Sequence, residues 1–149
     1  MAVREAELVL VRHGETASNR SHIIQGHLDT PLSPLGLQQA DCVAAHLSDV
    51  TFSQVISSDL ARALQTGRAI LAANPSVRGS EIEQWPVLRE RCFGQLEGQQ
   101  AGLMQEAVKG LTRDQILAWG PPGGETGLQF RERVRQVVLG LSSPEVDHF

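Results

Sequence analysis

The sequence has few cysteines, no excess of positive charge and no long hydrophobic run, and each shortage excludes a class of protein. The two cysteines, Cys42 and Cys92, fit no metal-ligand spacing and suit a reducing compartment. The chain carries 13 lysines and arginines against 17 acidic residues, which argues against nucleic acid or an anionic membrane as the main partner. The apolar run at residues 8–11 is too short for a signal-peptide core or a membrane span. We therefore expect a cytoplasmic protein.

The remaining composition is that of an ordinary globular domain. The chain has 149 residues, of which 41% are hydrophobic, and this suits one domain with one core. Short apolar runs predict buried strands at residues 8–11, 55–57 and 82–87. Pro86 cannot donate a hydrogen bond to a neighbouring strand, so we expect the third strand at an edge of the sheet.

Sequence patterns typical of helix N-termini occur between and after these predicted strands. Ser33 is a predicted N-cap, and Ser58 is a second one, with Asp59 placed to complement the helix dipole. Thr126 and Gln129 form a capping-box pattern before the strongest apolar stripe of the chain. Strands that alternate with helices imply βαβ units, and therefore a parallel sheet with helices on both faces.

In a parallel sheet, ligands bind beyond the carboxyl ends of the strands. This rule selects residues 12–19, 58–62 and 88–94. These segments contain one histidine, several arginines and one suitably placed carboxylate. Such a set can support phosphoryl transfer, which needs a nucleophile, a cationic site for the phosphate and an acid for the leaving oxygen.

Four motifs carry a resemblance to a known family. Residues 11–16 (Val-Arg-His-Gly-Glu-Thr), 57–63, 88–94 and 121–126 resemble, in order and spacing, the motifs of the histidine phosphatase superfamily, also called phosphoglycerate-mutase-like. The resemblance runs from residue 8 to about residue 141. It implies an α/β fold, a three-layer αβα sandwich with a mainly parallel sheet.

The resemblance also implies a role for each matching residue. His13 would be the nucleophile and would accept the phosphoryl group as a phosphohistidine. Arg12 and Arg62 would clamp the phosphate oxygens, because a guanidinium fork fits phosphate and stays charged. Glu90 would protonate the leaving oxygen, and no metal or cofactor would take part. Further substrate contacts would come from Asn19, Gln25, Gly26 and Arg91.

Structural alternatives exist for several of these residues. Arg62 could be a surface residue of its helix, and Glu90 could be a structural partner of Arg89 or Arg91. Asn19 could stabilise its own loop, as asparagine often does.

One family feature is missing from the sequence. The family pattern has a second histidine after a later strand, followed by glycine, and His148 lacks both that strand and that glycine. We therefore expect residues 1–149 to be the N-terminal part of a single histidine phosphatase domain whose C-terminal strands are missing. The first strand would then border an uncovered hydrophobic edge. In the family, the missing histidine donates to the phosphoryl group that is being transferred. Loss of such a donor commonly costs about a hundred- to a thousandfold in rate, so we expect weak turnover.

The motifs most resemble the fructose-2,6-bisphosphatase (TIGAR-type) group of this family. The resemblance implies that a small phosphorylated metabolite binds here, namely a sugar or glycerate bisphosphate such as fructose 2,6-bisphosphate. Residues 99–120 would form a lid that sets specificity. The alternative is a noncatalytic isoform that binds phosphorylated ligands or a protein partner through the same pocket.

Overall fold

A computed structural model describes residues 7–141 of the chain. Its regular elements are helices, two short strands and two 3-10 turns. They are α1 (Ala17–Arg20), α2 (Pro34–His46), β1 (Ile56–Ser57), α3 (Ala61–Ala73), β2 (Glu83–Gln84), the turns Pro86–Leu88 and Gly94–Leu96, α4 (Ala101–Ala107), α5 (Arg113–Ala118) and α6 (Gly127–Leu141).

Helices α2 and α3 pack together and form the main core. The predicted cap of α2 is confirmed, since the Ser33 hydroxyl accepts a hydrogen bond from Gly36 N at 3.1 Å. Ala44, Leu47 and Ile70 are buried between the two helices. Burial of these apolar side chains is the main stabilising term for the pair.

Strands β1 and β2 form a parallel pair joined through α3. Ile56 pairs with Glu83, and Ser57 pairs with Gln84. The sheet is parallel and lies in a βαβ unit, as the strand and helix pattern predicts. The second strand ends before Pro86, which begins a 3-10 turn because it cannot donate to a strand ladder.

The prediction of a buried strand at residues 8–11 is wrong for the described chain. These residues form no strand, and Leu10 is 91% exposed. A parallel strand needs hydrogen-bond partners along its edge. Among residues 7–141, β1 and β2 are the only strands, and they pair with each other.

The predicted cap at Ser58 is also wrong. Helix α3 begins at Ala61 after Leu60, and the Ala61 N–H donates to Asp29 Oδ1 at 2.7 Å. The Asp59 carboxylate does not serve the helix dipole, because it binds the guanidinium of Arg89. A side chain from another segment thus replaces the local cap.

The C-terminal half of the described chain is mostly helical. Leu103 of helix α4 is exposed and contributes to no core. Thr126 and Gln129 exchange the predicted capping-box hydrogen bonds at the start of α6, at 2.8 and 3.1 Å. In the stripe of α6, Val137 is buried and Val134 is exposed. None of the helices in residues 7–141 is long and apolar enough to cross a bilayer.

Candidate active site

His13 lies half-buried at the end of the 8–11 segment. Its Nδ1–H donates to the Gly14 carbonyl oxygen at 2.7 Å. This contact keeps the proton on Nδ1, so Nε2 carries the free lone pair. Burial is the main cause that lowers the pKa of His13, and the charges of Arg62 and Arg12 lower it further, while the Gly14 hydrogen bond and Glu90 oppose the shift. The imidazole is therefore held neutral, as a nucleophile must be.

Gly14 is held by helices α2 and α3. Its N–H donates to Thr66 Oγ1 at 3.2 Å, and the Thr66 hydroxyl donates to the Arg62 carbonyl at 2.9 Å. A Cβ on Gly14 would lie 2.3 Å from the carbonyl oxygen of Gly36. Only glycine allows the backbone to come this close to α2.

Arg62 stands at the start of α3 and is 2% exposed, so it is not a surface helix residue. Its Nη1 donates to the Leu28 carbonyl at 2.8 Å, and its Nη2 donates to the Gly26 carbonyl at 2.7 Å. These two bonds hold the loop that follows α1. They use two of the five N–H groups of the guanidinium, and phosphate binding by Arg62 stays a prediction.

Arg12 and Glu90 act on the imidazole from exposed positions. The Arg12 charge lowers the pKa of His13, and the Glu90 charge raises it. Glu90 also opposes the loss of a proton from Arg62. The Glu90 carboxylate accepts a hydrogen bond from its neighbour Arg91 N at 2.7 Å. Arg12, Arg62 and Glu90 therefore all lie within electrostatic range of His13.

Asn19 and Gln25 both use their side-chain oxygens inside the loop. Asn19 Oδ1 accepts from Thr16 N at 3.0 Å, which caps α1. Gln25 Oε1 accepts from the Thr16 hydroxyl at 2.8 Å and from the Thr30 hydroxyl. The structure thus shows the loop-stabilising role of Asn19, and contact of either residue with substrate stays a prediction.

Gly26 has a backbone that only glycine adopts easily, with φ at +52°. A Cβ there would lie 2.3 Å from Glu97 Oε1. That carboxylate is held in place, because it accepts from His27 N and Phe93 N at 2.9 Å. Gly26 therefore lets the loop pass between Arg62 and Glu97.

Arg91 contacts the loop before α6. Its Nε donates to the Glu125 carbonyl and its Nη2 to the Trp119 carbonyl, both at 2.9 Å. The guanidinium also lies 5.3 Å from the ring centre of Phe93. These contacts are structural, and substrate binding by Arg91 stays a prediction.

Two residues beside the site were not singled out from the sequence. Arg133 on α6 binds the Glu125 carboxylate through Nε and Nη2, and it also reaches the segment that carries Glu90. The eight-residue spacing of Glu125 and Arg133 is the only local signal, and it is a weak one.

Within residues 7–141, no group of three histidine, cysteine or acidic residues is placed to bind a metal ion.

Comparison with known proteins places this arrangement in a family. The family model for the histidine phosphatase superfamily (branch 1) matches residues 8–147. Fructose-2,6-bisphosphatase TIGAR of Xenopus tropicalis is 43% identical over 129 residues, which cover 86% of this chain and 46% of that protein. The chain thus spans about half the length of this relative.

Solved structures agree with the sequence matches. A putative alpha-ribazole-5'-P phosphatase of Escherichia coli superimposes with a TM-score of 0.76 at 33% identity, covering 89% of this chain and 64% of that chain. A mycobacterial glucosyl-3-phosphoglycerate phosphatase in complex with VO3 superimposes with a TM-score of 0.73 at 31% identity, covering 87% and 61%. The chain has a phosphoglycerate-mutase-like α/β fold, and it belongs to the histidine phosphatase superfamily.

Proposed function

We propose that the site around His13 catalyses phosphoryl transfer from a phosphate monoester to water. The observation that carries this proposal is the state of His13, whose Nδ1–H is bound to Gly14 O while Arg12, Arg62 and Glu90 lie within electrostatic range. These groups match the nucleophile, cations and acid that phosphoryl transfer needs, and this match supports the proposal.

In the first step, Nε2 of His13 attacks phosphorus and forms a phosphorus–nitrogen bond. The bond from phosphorus to the leaving oxygen breaks, and that oxygen takes the proton of the Glu90 carboxyl group. Arg12 and Arg62 neutralise the charge of the phosphoryl oxygens. The Gly14 carbonyl stabilises the charge that develops on the imidazole.

In the second step, water attacks the phosphorus of the phosphohistidine. The water proton passes to the Glu90 carboxylate, the phosphorus–nitrogen bond breaks, and inorganic phosphate leaves. His13 returns to its neutral form with the proton on Nδ1. Each residue then has the protonation state with which it began.

The proposed substrate is a sugar or glycerate bisphosphate, such as fructose 2,6-bisphosphate. The support is the similarity to fructose-2,6-bisphosphatases named TIGAR, including 43% identity to the Xenopus tropicalis protein. A cytoplasmic location remains a prediction from the two lone cysteines.

The test is to trap the phosphoenzyme with radiolabelled fructose 2,6-bisphosphate. We expect an acid-labile label on the wild-type chain and none on His13→Ala. His46→Gln is the matched control, because His46 is exposed at the end of α2 and should leave the label unchanged. Ligand binding without any label would reject the enzymatic proposal and favour a noncatalytic phosphate-binding protein.

A further inference from the structure

Glu90 is an exposed residue, so side-chain packing does not set its position. Its segment lies between the 3-10 turns Pro86–Leu88 and Gly94–Leu96 and has no regular structure of its own. Something outside the segment must therefore hold its backbone if the carboxylate is to meet a leaving oxygen.

Arg133 on α6 makes five hydrogen bonds, of which two go to this segment and one goes to the turn before it. Its Nη1 donates to the carbonyls of Val87 and Arg89 at 2.6 and 2.9 Å. Its Nη2 donates to the Glu90 carbonyl at 3.2 Å. One planar guanidinium thus binds the backbone carbonyls of Val87, Arg89 and Glu90.

Glu125 completes the arrangement from the loop before α6. Its carboxylate accepts both remaining hydrogen bonds of Arg133, Nε to Oε1 at 2.8 Å and Nη2 to Oε2 at 2.7 Å. It also accepts from Cys92 N at 2.8 Å. The two side chains are only 19% and 22% exposed, so water screens the pair weakly.

Two further contacts hold the segment from other elements. Arg89 Nε donates to Asp59 Oδ1 at 2.7 Å, directly after β1. His27 Nε2 donates to the Glu90 carbonyl at 3.0 Å. The segment is therefore tied to the residues after β1 through Asp59, to the loop after α1 through His27, and to α6 through Arg133.

We propose that Arg133 and Glu125 are positioning residues that set the place of the Glu90 carboxylate relative to His13. This inference rests on the proposed function, in which Glu90 is the proton donor. A misplacement of about 1 Å can cost about a hundredfold in rate, so a held backbone matters for an exposed acid. We expect Arg133→Lys not to hold the Glu90 segment in place, because lysine keeps the positive charge but lacks the planar guanidinium fork.

The first test compares leaving groups. A p-nitrophenolate leaves without a proton, whereas an alkoxide needs one from Glu90. We expect Glu90→Gln, Arg133→Lys and Glu125→Gln to lower the rate of His13 phosphorylation by glycerol 3-phosphate at least tenfold more than the rate with p-nitrophenyl phosphate. A single-turnover measurement of the acid-labile label gives both rates.

Arg135→Met is the matched control for these variants. Arg135 lies on the same helix, its side chain is 59% exposed, and it pairs with Glu132 at the surface. We expect the ratio of the two rates to stay at the wild-type value. Equal losses with both substrates in Arg133→Lys would indicate a general structural defect and would overturn the proposal.

The second test does not depend on turnover. The charge of Glu90 raises the pKa of His13, so its removal, or its movement away from His13, should lower that pKa. We expect an NMR titration of the His13 ring to show a shift of the same direction in Glu90→Gln and Arg133→Lys. Because lysine keeps the positive charge, this shift reports the movement of Glu90.

The two tests separate this inference from the proposed function. If the wild-type chain takes no label from fructose 2,6-bisphosphate or from either of these two phosphates, the proposed function fails, and the His13 titration alone decides the inference. A His13 pKa in Arg133→Lys equal to that of the wild type would then overturn it. Circular dichroism confirms that each variant is folded before it is scored.

Discussion

The buried guanidinium of Arg62 acts on two parts of the site at once. It binds the carbonyls of Gly26 and Leu28, which holds the loop after α1. Its charge also lowers the pKa of His13. One residue thus holds the loop after α1 and favours the neutral form of the His13 imidazole.

Replacement of Arg62 by methionine should separate these effects. We expect phosphate affinity to fall at least about tenfold, since one charge-assisted hydrogen bond contributes about 1.5–3 kcal/mol. The pKa of His13 should rise, because a nearby positive charge is lost. Phosphate binding by calorimetry and an NMR titration of His13 measure both.

Arg68→Met is the control for this substitution. Arg68 lies on the same helix at an exposed position. It should change neither phosphate binding nor the His13 titration. A wild-type affinity in Arg62→Met would contradict the role of Arg62 as a phosphate ligand.

Helix α2 meets the segment of the nucleophile through two glycines. A Cβ on Gly36 would lie 2.0 Å from the Glu15 carbonyl oxygen, and a Cβ on Gly14 would lie 2.3 Å from the Gly36 carbonyl oxygen. The Ser33 hydroxyl adds a hydrogen bond to Glu15 Oε1 at 2.7 Å. The start of α2 therefore packs against Gly14 and Glu15, the two residues that follow His13.

Gly36→Ala should break this contact between backbones. We expect the free energy of unfolding to fall by about 1–3 kcal/mol, the usual cost of overpacking, because neither backbone can give way like a side chain. Urea denaturation measures the loss. The substitution should also reduce phosphohistidine formation, because His13 stands on the displaced segment.

Gly102→Ala is the matched control, since a Cβ there meets no atom within 4 Å. Gly102 lies inside α4, where alanine is the better helix former by about 1 kcal/mol. The free energy of unfolding should therefore rise. An equal loss in both variants would show that the close approach of Gly36 to Glu15 is not the cause.

Two partly buried ion pairs contribute to the fold. Asp59 binds Arg89, and Glu125 binds Arg133. The hydrogen bond to the arginine is the main cause that lowers the pKa of each carboxylate, and burial opposes it. A lowered pKa means that each pair stabilises the fold fully above the ordinary carboxylate range, near pH 4, and is lost as the pH falls further.

The whole chain should therefore lose stability in acid. Between pH 6 and pH 2 we expect each pair to lose about 1 kcal/mol of stabilisation, the upper end for pairs that water still reaches. Urea denaturation at a series of pH values measures the slope. Asp59→Asn should flatten it, and Glu106→Gln, which removes an exposed pair with Lys109, should not. A slope unchanged in Asp59→Asn would contradict this account.

Local chemistry was enough to specify several elements. Ser33 begins α2 and the Thr126 capping box begins α6, because these signals act over three residues of the same chain. The motifs also predict that His13, Arg62 and Glu90 belong to one site. The charges of Arg62 and Glu90 act on the pKa of His13, and the common site stays a prediction.

The partners of charges and strands depended on distant segments. Asp59 binds Arg89, 30 residues away, in place of the helix dipole, and Arg133 reaches Glu90 across 43 residues. Residues 8–11 are apolar enough for a strand, yet they form none, since the described chain supplies no strand beside them. Hydrogen bonds within a turn depend on neighbouring residues, whereas the Asp59–Arg89 ion pair and the strand ladder exist only where folding brings remote groups together.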